Sequence, residues 1–158
     1  MRLRPLDLAV GLVVVGLGLY ALSAVHHRAA GRAVLASPTL TPGATNADVT
    51  QRTIRRTICV RGWTATVRPP TSYTSALKVQ QLDEYHLAGR PSTYQEDHLI
   101  SLELGGNPTD PRNLWPEPYP RAAQVDKIEN ELNAEVCTGK LTLVAAQRKE
   151  AALKHEQG

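Results

Sequence analysis

The sequence contains no phenylalanine, and its large aromatics are two Trp and five Tyr among 158 residues. A core made from it must lean on Leu, Val, Ile and Ala, within a hydrophobic fraction of 42%. Only two cysteines occur, Cys59 and Cys137. They are too few and too far apart for a structural zinc site, which draws on closely paired ligands. No large excess of one charge is present either: 18 Lys and Arg face 15 Asp and Glu. The small surplus lies in residues 1–32, so net charge is no argument for nucleic-acid binding. Beyond the leader the charge divides. Residues 33–90 hold seven basic and three acidic side chains, and residues 91–158 hold seven basic and eleven acidic ones. A phosphate-binding face beside a cation-binding one fits this division, and so does simple mutual neutralisation.

Residues 8–25, LAVGLVVVGLGLYALSAV, are apolar and uncharged over 18 positions. That length approaches what a helix needs to cross a bilayer. Arg2 and Arg4 precede the run, as in the positive start of an export signal. Residues 1–32 are therefore expected to be a signal peptide or a membrane anchor, and the domain beyond to lie outside the cytoplasm, secreted or tethered. Residues 33–45 include the Pro-, Thr- and Gly-rich stretch that reads as a linker. The folded domain is expected over 46–158. In an exported chain two cysteines favour a Cys59–Cys137 disulfide over two buried thiols. Closing so long a loop stabilises by about 4 kcal/mol in the chain-entropy model.

The spacing of apolar residues predicts a helix over 47–59, with Val49, Ile54 and Ile58 inward and Asn46 or Asp48 as cap. A second helix is expected over 73–85, with Ala76, Leu77, Val79 and Leu82 inward. Residues 93–104 read as one strand or two short ones, followed by a loop to Arg112 and extended chain from Asn113. Pro120 is placed to open a long helix reaching about 136, with Gly139 as its C-cap. A last helix covers 143–154, with Leu143, Ala146 and Leu153 inward. The fold class is α+β, mainly helical around a strand–loop–strand–helix centre.

That centre carries the chemistry. Asp97-His98, Gly105-Gly106 and Asn113-Leu114 follow one another at intervals of six residues. The pattern resembles the HNH nucleases, the His-Me finger group, over about 18 residues directly and roughly 40 with the next helix. The resemblance implies a β-hairpin and helix gripping one divalent cation. It implies His98 as general base, Asp97 as metal ligand, and Asn113 as the residue that pins the loop orienting the histidine. Gly105 and Gly106 would allow the turn. Histidine titrates near neutrality and can take a proton from attacking water. A cation meets the charge growing on phosphorus and holds the leaving oxygen. Neighbours on a regular strand point to opposite sides, so Asp97 and His98 share a site only where the backbone bends.

The sequence departs from the common pattern on the helix: residues 99–154 contain no His. Asp126 is the substitute ligand, with Asn130 one turn later and Glu129 as the weaker choice. Ser101 stands where the family often has proline. With oxygen ligands, Mg²⁺ is expected over Zn²⁺. Arg52, Arg55 and Arg56 are candidates for contact with a DNA or RNA substrate. Arg61 and Arg68 extend the same basic stretch around Trp63, itself read as core. The competing expectation is a catalytically inactive module that keeps the hairpin as scaffold and binds a partner at the cell envelope. No protein partner is legible.

Overall fold

A computed structural model describes residues 34–156. The expected signal or anchor in residues 1–32, including the apolar run 8–25, lies outside the described residues. Within them, no helix is long and apolar enough to cross a membrane.

Among the described residues, four α-helices and two strands, with short 3-10 turns between them, form an α+β arrangement. Helix α1 spans Trp63–Val67 and α2 spans Thr71–Glu84. Strands β1 (Tyr94–His98) and β2 (Leu114–Pro118) form an antiparallel two-stranded sheet. Tyr94 pairs with Pro118, and His98 with Leu114. Helix α3 (Tyr119–Cys137) follows β2 directly, and α4 (Leu143–Glu156) packs against α3. Both strands pack on α2 and on α3.

Two apolar clusters hold these parts. The larger joins Val49, Ile54, Ile58, Leu104, Leu132 and Val136 with Leu143 and Ala146. The smaller joins Ala36, Leu99 and Trp115. Trp115 is completely buried, and Trp63, expected in the core, packs partly buried against the larger cluster. Cys59 and Cys137 are disulfide-bonded, with Cα atoms 5.6 Å apart. The bond ties the turn-rich segment before α1 to the end of α3; bonds of this kind persist in oxidising compartments.

Four expectations need correction. Residues 47–59 are not a helix but turns with one 3-10 segment, Ile54–Arg56. The threonines explain this. The Thr53 hydroxyl donates to the Asp48 carbonyl at 2.7 Å and accepts from the Thr50 amide at 2.7 Å. The Thr57 hydroxyl donates to the Thr53 carbonyl at 2.9 Å. Such side-chain bonds give the backbone an alternative to the helical ladder. The expected inward residues, Val49, Ile54 and Ile58, are buried all the same. In α2, Ala76 and Val79 are exposed and Gln81 is buried instead, where its amide donates to the carbonyls of Leu114 and Pro111. In α4, the fully buried positions include Glu150 and Lys154, while Leu153 is half-buried.

The stretch expected as a linker is part of the domain from residue 34 on. The compact unit begins at Val34. Ala36 and Thr41 are completely buried, and the Ala36 amide donates to the Lys154 carbonyl at 3.1 Å. Small residues let this strap lie close: the Gly43 amide donates to the Arg112 carbonyl, and Leu99 and Ile100 crowd the space a Gly43 side chain would need. His155 Nε2 bonds the strap at the Thr41 carbonyl, 3.0 Å away.

Candidate functional site

Strand alternation sets the starting geometry. Glu96 lies near Lys78 of α2, while Asp97 sends Oδ2 to Lys154 of α4, 2.9 Å away. His98 ends β1, where the chain turns away. There both Asp97 and His98 reach a single small cavity of about 60 Å³. Ser101 and Glu103 line it from the loop, Asp126 and Glu129 from α3, and Arg68 from the segment after α1.

Asn113 organises the loop between the strands. Its Nδ2 donates to the carbonyls of Ile100 and Asn107, both at 3.0 Å. Its Oδ1 accepts from the amides of Ile100 at 3.0 Å and Ala44 at 3.3 Å. All capacity of this completely buried amide is used. The clamp needs the glycine pair. A Cβ on Gly106 would lie 1.7 Å from the Ile100 carbonyl oxygen and 2.7 Å from Asn113 Nδ2. Gly105 has φ +74°, and its Cβ would lie 2.5 Å from a Val49 methyl.

The clamped loop in turn orients the histidine. His98 Nε2 lies 3.1 Å from the Pro108 carbonyl, one residue past Asn107. A carbonyl only accepts, so Nε2 carries the proton and Nδ1 keeps its lone pair. Burial pushes the His98 pKa down, more than the nearby Asp97 carboxylate pushes it up. The ring is therefore neutral near pH 7 and free to take a proton.

Lys154 reaches the site from the last turns of α4. Its ammonium is fully buried and ion-paired with Asp97 at 2.9 Å, Glu129 at 2.7 Å and Glu150 at 3.3 Å, and it donates to the His98 carbonyl. Burial pushes its pKa down, but the three carboxyls outweigh burial and hold it well above the ordinary lysine value. Burial also pushes Asp97 up; the ammonium overcomes this and holds Asp97 below the usual carboxylate range. One ammonium cannot serve all the acids around it. Burial pushes Glu129 up to about 9 and Glu117 up to about 8, each helped by the Asp97 charge. Glu150 accepts the Ser101 amide with both oxygens, at 3.1 and 3.0 Å. Asp97 is thus a fixed anion with one oxygen committed to Lys154.

Among the described residues, no group of three or more His, Cys, Asp or Glu side chains is placed to hold a metal ion by itself. Asp126 does line the cavity with Asp97 and His98, and so does Glu129. Arg52, Arg55 and Arg56 are exposed and line no part of it; Arg68 is the arginine that does. Lys154 and Glu150 carried no distinguishing signal, since a Glu–Lys pair four apart near a helix end reads as a surface ion pair. Comparison with protein-family models, with curated proteins and with solved structures found no match.

Proposed function

We propose that this chain is a nucleic-acid phosphodiesterase of the HNH, metal-dependent endonuclease type, with His98 as general base. The observation that carries the proposal is His98 itself. Its Nε2 is tied to a loop carbonyl, burial holds its pKa below the ordinary histidine value, and it shares a cavity with the Asp97 carboxylate. His98 Nδ1 takes a proton from a water as the water oxygen bonds phosphorus. The bond from phosphorus to the leaving oxygen breaks, and solvent returns a proton to that oxygen. Arg68 supplies positive charge at the cavity mouth for the non-bridging oxygens.

The donor set suits Mg²⁺ as cofactor. The cavity offers oxygens from Asp97, Ser101, Glu103 and Asp126, and Ser101 Oγ is buried with no partner among the described residues. Mg²⁺ keeps several waters and takes one or two protein carboxylates, so it does not require a converged trio of side chains. Asp97 and Asp126 would hold it. When bound, it neutralises charge at the phosphate and leaving oxygen. Asn113 acts by positioning, through the Asn107–Pro108 turn.

The place of action is outside the cytoplasm, with the chain anchored through residues 8–25 or released after cleavage. The disulfide supports this location. The substrate is DNA or RNA with little sequence preference. Nicking of supercoiled plasmid by the full chain, with Mg²⁺ and with EDTA, tests the activity. Loss of nicking in a folded His98→Ala variant is expected. Nicking that survives His98→Ala removes the mechanism. No nicking and no divalent-ion heat in calorimetry favours the non-catalytic binding module, which the commitment of Asp97 to Lys154 would suit.

A further inference from the structure

We infer that a groove beside the His98 cavity seats an unpaired nucleotide flanking the phosphate that is cut, an assignment that rests on the nuclease reading above. The groove is an open recess of about 280 Å³. Glu103 lines both it and the smaller cavity, so the two are adjacent. Helix α3 forms their common wall. Asp126 and Glu129 face the cavity, and Asn130, Asn133 and Cys137 face the groove, all on one side of the helix by their three- and four-residue spacing. From Asp126 to Cys137 the helix rises about 16 Å. A stacked strand rises about 3.4 Å per nucleotide, so the wall reaches past the cut position to its neighbours.

The opposite wall is the segment carrying Arg61 and Thr64, and the Cys59–Cys137 bond fixes it to α3. Arg61 is exposed and enters none of the ion pairs among the described residues. Asn133 is held rigidly, its Nδ2 donating to the carbonyls of Glu103 at 2.7 Å and Ile58 at 3.2 Å. Its Oδ1 is left beside a disulfide sulfur, which has no hydrogen to give. The groove therefore presents a guanidinium suited to phosphate and a fixed amide oxygen suited to the amino edge of a base. A recess this size takes one base-sized group. A paired base lies inside its stack and cannot enter without being turned out, so single strands are preferred over duplex.

The test uses the full chain with His98→Ala, which stops turnover, and a short fluorescent oligonucleotide at low salt. Binding is read by anisotropy for the single strand and for the same sequence closed into a hairpin duplex. The single strand is expected to bind at least about fivefold tighter. Adding Arg61→Gln should weaken it roughly three- to tenfold, and Arg90→Gln, which removes an exposed cation near the start of β1, by less than about twofold. On titration, the Gly62 amide and the Asn133 side-chain amide should shift in nitrogen–proton spectra. Equal losses for Arg61→Gln and Arg90→Gln, tighter duplex binding, or shifts confined elsewhere overturn the groove assignment. If the unmodified chain nicks plasmid while these results fail, the groove assignment falls alone. If it neither nicks nor binds either DNA, the nuclease reading falls with it.

Discussion

Replacing Lys154 with methionine removes a charge while keeping a similar unbranched bulk. The lysine is completely buried, and Asp97, Glu129 and Glu150 all turn to it. Taking one partner from a buried ion pair leaves the other uncompensated and costs about 3–5 kcal/mol. For a domain of this size that lowers Tm by roughly 10–20 °C. The pH dependence has a defined sign. In the parent chain Asp97 is depressed, so its stabilising effect is present above the ordinary carboxylate pKa and lost as pH falls through the folded value. In the variant no ammonium opposes burial, and Asp97 rises above its unfolded value. Its penalty is then full at neutral pH and lifts as pH falls toward the ordinary carboxylate pKa. The stability gap between parent and variant should therefore narrow from about pH 7 to about pH 4. Urea unfolding followed by circular dichroism at several pH values measures it. A loss under about 1 kcal/mol, or a gap that does not change with pH, would refute the view that this ammonium neutralises the cluster.

Glu117 and Glu129 point the other way. Their folded pKa values, about 8 and about 9, lie above the ordinary 4.5, so stability should fall as pH rises between those limits. Glu117→Gln should flatten that fall and raise Tm at alkaline pH; an unchanged Tm profile there refutes it. Gly106→Ala drives a methyl into the Ile100 carbonyl and should cost more than about 2 kcal/mol by urea unfolding, with the His98 ring resonances displaced. Asn113→Ala strips the four hydrogen bonds of a completely buried amide and should cost at least about 3 kcal/mol in the same assay. Reducing the Cys59–Cys137 bond should lower stability by about 4 kcal/mol, read as a shift in the urea midpoint with and without reductant.

The spacing of Asp97-His98, Gly105-Gly106 and Asn113 was legible because short-range turn chemistry decides it. The glycines must admit the Asn113 amide, and that requirement shows in residue types alone. The long helix from Tyr119 followed its apolar period, and the two cysteines pair as compartment suggested. What escaped detection depends on distant partners. Lys154 sits 57 residues from Asp97, and nothing local distinguishes it from a solvated helix tail. Gln81 is buried because β2 and the turn before it leave carbonyls for it to meet, which the pattern of its own helix does not reveal. The strap at 34–45 looked like a linker because small residues and prolines suit both solvent and close packing. Its burial depends on an apolar pair, Leu99 and Trp115, assembled elsewhere. Near Thr53 the apolar period suits a helix, but the threonine hydroxyls decide the backbone.

The bond from Ala36 to the carbonyl of Lys154 makes the entry of the domain and its last helical turn mechanical neighbours. Tension applied at residue 34 is felt first where the chain grips the Lys154 turn, and through it by Asp97, before the sheet is loaded. Shortening the chain to begin at residue 46 would strip that clasp, uncover Leu99 and Trp115, and loosen the turn that steadies the site's anion.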